Sequence, residues 1–186
     1  MPDESEQRGA TLRLRGAAGV PRDRTDSDEK YVLDVVEGLL EEACQRQKRF
    51  DDLVGDPDLR GRRRKLPVDA YFPSRKLIVE YRERQHYQPV PFMDRRMTVS
   101  GVTRGEQRQI YDARKEQWAE EHGLAFLVIP YTALSHANNG RLDRNTKADT
   151  AAILSILRDV GILPPTNCGH MSIVSNDTLV EMCRGV

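Results

Sequence analysis

Residues 66–86 read LPVDAYFPSRKLIVEYRERQH, and the two apolar runs in this stretch, 66–72 and 77–81, predict a β-hairpin. Val, Ile, Tyr and Phe favour strands, whereas the Pro and Ser between the runs favour a turn. Each predicted strand carries one acid, Asp69 or Glu80, in otherwise apolar surroundings. A buried carboxylate costs several kcal/mol unless a positive group lies beside it. Two acids so close together therefore indicate a metal ion.

Polar side chains follow the second predicted strand, where Arg82, Gln85 and His86 stand in succession. Groups that donate, accept or transfer protons beside an acid pair are typical of an active site. A second interpretation stays open, in which the acids face solvent at the edge of a sheet or pair with the many nearby arginines.

The charge of the chain is unevenly distributed, although the net charge of its 186 residues is zero. Between Arg60 and Lys115 there are fifteen Lys and Arg against six Asp and Glu. A metal-dependent enzyme that acts on a polyanion needs such cations around its acids, because the cations bind phosphates. Arginine dominates the stretch and its forked guanidinium suits phosphate, which favours nucleic acid over a solvated face without a ligand.

The length predicts one folded domain, 27–163, between a flexible N-terminal tail, 1–26, and a C-terminal tail, 164–186. The three cysteines lack CxxC spacing, which indicates neither a disulfide framework nor a zinc site. No apolar run approaches the roughly 18 residues of a membrane span, and the N-terminus lacks the features of a signal peptide. We therefore expect a cytoplasmic protein with no membrane partner.

Before the hairpin, apolar residues at helical spacing predict a helix from Ser27 to about Gln47, with Ser27 or Asp28 as its N-cap. Glu29 falls on the apolar stripe of this helix and so points at the body of the protein. It is equally an acid in the first turn, where the helix dipole favours one. Residues 48–65 are predicted to form a loop whose basic end either binds a phosphate or is a solvated turn.

After the hairpin, residues 87–104 predict a long loop of the kind that carries function. A helix is expected from Thr103 or Arg104 to about His122, closed by a glycine. Asp112 flanks the apolar side of this helix, either as an ion-paired border residue or as a group that reaches the same pocket as Asp69.

The last predicted elements are a strand over 124–131, apolar enough to be buried on both faces, and a helix over 145–160. The resulting order of elements is helix, hairpin, helix, strand, helix. It predicts an α/β sandwich in which a small mixed β-sheet is flanked by helices.

An acid on the first helix, Glu29, followed by Asp69 on one strand and Glu80-Tyr-Arg82 on the next, resembles the PD-(D/E)XK restriction-endonuclease-like nucleases. The later residues, His86 and an Arg-x3-Asp112-x2-Lys helix, look like the branch that contains very short patch repair (Vsr-like) and EDxHD homing endonucleases. The likeness covers about residues 29–131, and the agreement in order and spacing carries it rather than any single motif.

The resemblance implies a three-layer restriction-endonuclease-like sandwich and a metal-dependent endonuclease that hydrolyses DNA phosphodiester bonds in repair, restriction or mobile-element invasion. It implies Mg²⁺ or Mn²⁺ at Asp69, with Glu80 or the backbone carbonyl beside it as the second ligand, and no small-molecule cofactor. Glu29, His86 and Asp112 would match the family's other catalytic acids and histidine. Many nucleases of this fold pair to cut both strands, so a homodimer is compatible with the resemblance.

One departure from the family pattern is Arg82, which stands where lysine is usual. Arginine stays protonated and cannot act as a base, but it can hold a phosphate. The role of general base then passes to His86, because imidazole titrates near neutrality.

Nine basic residues are expected to bind the nucleic acid: Arg62, Arg63, Arg64, Lys65, Arg95, Arg96, Arg104, Arg108 and Lys115. Two other hypotheses stay open. The chain is a weakened nuclease fold that binds nucleic acid without cutting, for which Arg82 speaks, or a protein-interaction domain whose hairpin is fortuitous.

Overall fold

A computed structural model describes residues 27–88 and 94–165 of the chain. The predicted tail 1–26, the middle of the predicted loop 87–104 and all but the start of the tail 164–186 lie outside the described residues. The helices and strands of the described part are α1 (Asp28–Leu40), β1 (Gln45–Pro57), β2 (Arg63–Phe72), β3 (Leu77–Arg82), α2 (Arg104–Glu121), β4 (Ala125–Pro130) and α3 (Thr146–Asp159).

The strands form one four-stranded sheet in the order β1-β2-β3-β4. Strand β2 is antiparallel to both β1 and β3, whereas β4 runs parallel to β3, so the sheet is mixed as predicted. Helices α1 and α3 pack on one face around Val36, Phe72 and Ile153. Helix α2 packs on the other face through Trp118 and Ala119. The fold is therefore α/β, with a small mixed sheet between helices.

The first strand was not predicted, and the expected helix to Gln47 and loop over 48–65 are both wrong. Helix α1 ends at Leu40, where Glu41 adopts a left-handed conformation as C-cap. The chain then enters β1, a polar edge strand that pairs with β2 from Gln45 onward and whose register shifts twice. Edge strands are often charged and bulged, which protects their free edge but weakens the alternation that identifies a strand.

The hairpin of β2 and β3 is confirmed, with Ala70 opposite Val79 and Phe72 opposite Leu77. Strand β3 is the strand buried on both faces, since residues 77–81 are all buried. The prediction of two buried faces for β4 is wrong, because Leu127 and Ile129 on one face are buried whereas Phe126 and Val128 on the other face are only half-buried.

The predicted helix starts are confirmed by their caps. The Ser27 side chain accepts a hydrogen bond from the backbone N–H of Lys30, and Thr103 forms a capping box with Glu106 at the start of α2. Such caps satisfy backbone donors that a helix leaves unpaired.

Helices α1 and α3 are joined by buried polar contacts. Tyr31 Oη donates to Asp149 Oδ2 at 2.7 Å, and Asp28 accepts from the Arg144 guanidinium at 3.0 Å. These contacts fix the first turn of α1, from which Glu29 projects. No helix within residues 27–88 and 94–165 has the length and apolar character that crossing a bilayer requires.

Candidate active site at the Asp69–Glu80 pair

The two acids of the hairpin lie across from each other, where the β2–β3 ladder ends. One residue beyond the pair of Ala70 and Val79, the side-chain carboxylate of each acid accepts a hydrogen bond from a backbone N–H of the opposite strand. The backbone N–H of Asp69 donates to Glu80 Oε1 at 3.2 Å, and the backbone N–H of Tyr81 donates to Asp69 Oδ2 at 3.0 Å. Carboxylates thus bind two strand donors at the end of the ladder, which holds the acids side by side.

Glu80 forms an ion pair with a lysine from α2. Lys115 Nζ lies 2.9 and 2.8 Å from Glu80 Oε1 and Oε2, and both side chains are largely buried. Burial raises the pKa of Glu80 and the charge of Lys115 opposes that rise, with a net increase. The sequence placed Lys115 among the phosphate-binding residues, whereas its ammonium group neutralises a buried acid.

Within residues 27–88 and 94–165, Asp69 forms no ion pair with a lysine or an arginine. Burial raises the pKa of Asp69 to about 7, and the neighbouring charges of Glu80 and Glu29 add to the increase, whereas Lys115 and the Tyr81 hydrogen bond oppose it. Glu29, Asp69 and Glu80 therefore act on one another electrostatically, and the charge of Lys115 partly offsets theirs. Such an excess of negative charge in a partly buried place is typical of functional sites.

Gln47 connects the acid of α1 to the acid of β2. Its Nε2 donates to Glu29 Oε1 at 2.8 Å and approaches Asp69 Oδ1 at 3.4 Å. The prediction that Glu29 points at the body of the protein agrees with this contact, and Gln47 lies between Glu29 and Asp69. Gln47 has a backbone φ of 51°, a left-handed conformation that residues other than glycine rarely adopt. Sequence reasoning missed this residue because it assigned Gln47 to the end of a helix.

His86 and Asp112 form a hydrogen-bonded pair beside the acids. His86 follows β3 in a short 3₁₀ turn, and its Nδ1 lies 2.8 Å from Asp112 Oδ2 on α2. Burial raises the pKa of Asp112, but the hydrogen bond with His86 and the charges of His86, Arg82 and Lys115 outweigh burial and lower it. Asp112 and Lys115 are three residues apart on one helix, so the two pairs are neighbours on its surface.

Arg82 is turned towards α2 and paired with acids. Its guanidinium bonds Glu116, and its Nε lies 3.9 Å from Asp112 Oδ2. The carboxylates of Glu116 and Asp112 would therefore compete with a phosphate for the Arg82 guanidinium, which was predicted to bind phosphate. The charge of Arg82 helps to lower the pKa of Asp112 across this distance, without a hydrogen bond between the two side chains.

A cleft of about 390 Å³ opens between β2 and α2. Pro67 forms one side, and the other carries the catalytic candidates His86 and Asp112 together with three predicted phosphate-binding residues, Arg104, Arg108 and Lys115. Arg108 bonds Asp94 and the backbone carbonyl of Gln85, so part of its charge is already neutralised.

The other predicted nucleic-acid contacts lie outside this cleft. Arg62, Arg63, Arg64 and Lys65 are exposed at the end of the β1–β2 hairpin, and Arg95 and Arg96 are exposed in the loop before α2. Lys65 pairs with Asp51, and Arg62 pairs with Asp58.

Carboxylate oxygens such as those of Asp69 are typical magnesium ligands, but too few carboxylates are grouped here, within the described residues, to form a complete metal site. Among the residues that the structure describes, no group of three or more His, Cys, Asp or Glu is arranged to hold a metal ion. Magnesium, however, is often bound by only one or two carboxylates together with waters and substrate phosphates. The uncompensated charge that raises the pKa of Asp69 is what a divalent cation would neutralise.

Comparisons of the chain with models of protein families, with curated proteins and with solved structures found no significant match.

Proposed function

We propose that the chain is a metal-dependent endonuclease of the PD-(D/E)XK type that hydrolyses DNA phosphodiester bonds. The observation that supports it is the placement of Asp69 and Glu80 across adjacent strands, with Lys115 bonded to Glu80. An acid pair with one lysine at the end of a central hairpin has the residue types that this chemistry requires.

The metal would be Mg²⁺ or Mn²⁺, held by Asp69 with Glu80 beside it. When bound, it would supply Lewis-acid stabilisation of the phosphate and a more acidic water. Hydrogen bonds from the backbone to Asp69 and Glu80 orient both carboxylates before any ligand arrives. The positive charge of Lys115 weakens the electrostatic repulsion between Glu80 and Asp69.

His86 is the group that we assign to proton transfer. Because its Nδ1 bonds Asp112, the other ring nitrogen, Nε2, is the one that can take a proton from an attacking water. The lowered pKa of Asp112 keeps this carboxylate ionised, so that it orients the imidazole and stabilises its charged form.

Lys115 supplies the ammonium group that the family pattern has at the position of Arg82. It brings an ammonium group to Glu80 from α2 instead of from β3 itself. Arg82, bonded to Glu116 and close to Asp112, positions the histidine pair. Phosphates of the substrate would contact Arg104 and Arg108 along the cleft, with Arg95 and Arg96 farther out.

The test is magnesium-dependent nicking of supercoiled plasmid DNA by the wild type and by Asp69→Asn. We expect nicking by the wild type that is lost with a chelator and falls at least about 10²-fold in Asp69→Asn. Asp143→Asn, which changes an exposed acid bonded to Ser135, is the matched control and should nick like the wild type.

A second candidate function is nucleic-acid binding without cleavage. The observation in its favour is that Lys115 engages both oxygens of Glu80, while Arg82 replaces the usual lysine. Salt-dependent DNA binding by a wild type that nicks with no divalent ion would establish this alternative. No salt-dependent binding at all would leave only the protein-interaction domain.

A further inference from the structure

The turn that joins β1 to β2 presents an apolar side chain to solvent. Leu59 is 88% exposed, the highest value among the large hydrophobic residues that the structure describes. Single exposed leucines are common on protein surfaces and need no explanation by themselves. The surroundings of Leu59 distinguish it.

The turn is rigidly closed around Asp58. Its Oδ1 accepts hydrogen bonds from the backbone N–H groups of Arg60 and Arg62, at 2.8 and 3.0 Å. Its Oδ2 accepts from the Arg62 guanidinium, and its backbone bonds Gly61 and Arg62. Gly61, with a φ of 74°, supplies the left-handed residue that this turn needs. Leu59 is therefore held outward by a preorganised turn and not by a loose loop.

Basic residues follow this leucine in the chain. Residues 60–65 include five basic residues. Of these, Arg60, Arg63 and Arg64 are exposed and form no ion pair within the described residues. An exposed apolar group among exposed cations matches a ligand that is anionic along its backbone and apolar within. Duplex nucleic acid has that arrangement, because its phosphates surround stacked bases.

A cleft of about 460 Å³ begins at the base of the same turn. Pro57 and Asp58 line one side, and the partly exposed Val99 and Ile110 line the other. Asp56 holds the cleft together, since it bonds Ser100 at 2.8 Å and Arg114 at 2.9 Å. Leu59 directly follows Pro57 and Asp58 in the chain, although its own side chain does not line the cleft.

We propose that Leu59 is an apolar wedge that contacts and unstacks bases of a bound duplex, while Arg60, Arg63 and Arg64 bind the flanking phosphates. Apolar side chains inserted between base steps are a known way to bend and read DNA. From Arg63 to Asp69 the strand extends about 20 Å, so the wedge contacts nucleotides away from the acid pair. The inference rests on nucleic acid as the ligand of the proposed function, but not on cleavage.

The experiment measures binding and base stacking together, without divalent metal, on a duplex that carries 2-aminopurine, whose fluorescence rises when it is unstacked. The wild type should raise the fluorescence at some probe positions. Leu59→Ala should abolish that rise and weaken binding by about tenfold, with an unchanged slope of affinity against salt concentration. Val160→Ala, which truncates another exposed apolar residue, is the matched control and should behave like the wild type.

A second variant separates wedge from phosphate contact. Arg63→Ala should reduce the salt slope by about one and leave the fluorescence rise at saturation intact. The proposal is overturned if Leu59→Ala binds as tightly as the wild type, or if the wild type binds and unstacks nothing. It is also overturned if Leu59→Ala changes only self-association in sedimentation, which would assign Leu59 to a second copy of the chain.

The outcomes distinguish this inference from the proposed endonuclease. A wild type that unstacks bases through Leu59 yet never nicks plasmid DNA keeps the wedge and removes the enzyme. A wild type that nicks, with Leu59→Ala indistinguishable from it in binding and fluorescence, keeps the enzyme and removes the wedge.

Discussion

Lys115 Nζ lies within 2.9 Å of both carboxylate oxygens of Glu80, a side chain that is 4% exposed. The pair joins α2 to the central strand of the sheet. A carboxylate at this depth without a cation would be strongly destabilising, so this contact ties the stability of the fold to the chemistry of the site.

Replacement of Lys115 by methionine removes the charge and keeps much of the side-chain volume. We expect Lys115→Met to lower the free energy of unfolding by about 3–5 kcal/mol, because Glu80 is left buried and unpaired. Denaturant unfolding measures the change. The exposed Lys147 on α3 is the matched control, and Lys147→Met should change stability by less than about 0.5 kcal/mol.

The double variant Lys115→Met/Glu80→Gln tests the cause of that loss. It should recover most of the lost stability, since the amide at position 80 carries no charge that needs a cation. A double variant as unstable as Lys115→Met alone would mean that packing, and not the ion pair, is what Lys115 contributes.

Asp69 should make the free energy of unfolding fall as the pH rises. Its pKa rises from about 3.9 in the unfolded chain to about 7 in the folded protein. The folded state therefore holds a proton that the unfolded state has lost, so the stability that Asp69 contributes is complete below about pH 4 and is lost as the pH rises through about 7.

Asp69→Asn removes this titration but keeps an oxygen for the Tyr81 N–H. Relative to Asp69→Asn, the wild type should lose on the order of 4 kcal/mol of unfolding free energy between pH 4 and pH 8, because the pKa difference of about three units is worth about 1.4 kcal/mol per unit. Chemical unfolding across that range gives the difference. A constant difference would contradict the raised pKa.

His86 should affect turnover more than binding. We expect His86→Ala to reduce the nicking rate by about 10²-fold or more, because the group that takes the proton is lost, with nearly unchanged DNA affinity. Asp112→Asn should cause a smaller loss, since Nδ1 keeps a hydrogen-bonding partner without its charge. Equal nicking by His86→Ala and the wild type would assign proton transfer to solvent.

Gln47 is a test of positioning by a strained residue. Gln47→Gly and Gln47→Ala both remove the amide that donates to Glu29, so both should lower nicking by a similar factor. Glycine accepts the left-handed backbone, so Gln47→Gly should be more stable than Gln47→Ala by about 1 kcal/mol. Full activity in Gln47→Gly would show that only the backbone matters at this position.

The fold was predictable where sequence patterns are strong. The hairpin of β2 and β3, the helix that starts after Thr103 and the cap at Ser27 all follow from local rules. Strand β1 was not predictable in the same way, because Gln45–Pro57 is mostly polar and owes its pairing to β2.

The site was predictable only in part. The pairing of Asp69 with Glu80 and of His86 with Asp112 agrees with the order of residues along the chain. The contact of Lys115 with Glu80 depends on how α2 lies on the sheet, which no local pattern specifies. The position of Gln47 depends on a left-handed backbone inside an edge strand, for which the sequence offers no glycine as a signal.

The most direct measurement for the central claim is an anomalous difference map from crystals of the protein soaked in Mn²⁺. The account predicts a peak bonded to the carboxylate of Asp69, which disappears in Asp69→Asn crystals. A map with no peak at Asp69, while Lys115 remains on Glu80 and Mn²⁺ binds elsewhere, would contradict a metal-dependent centre at this acid pair.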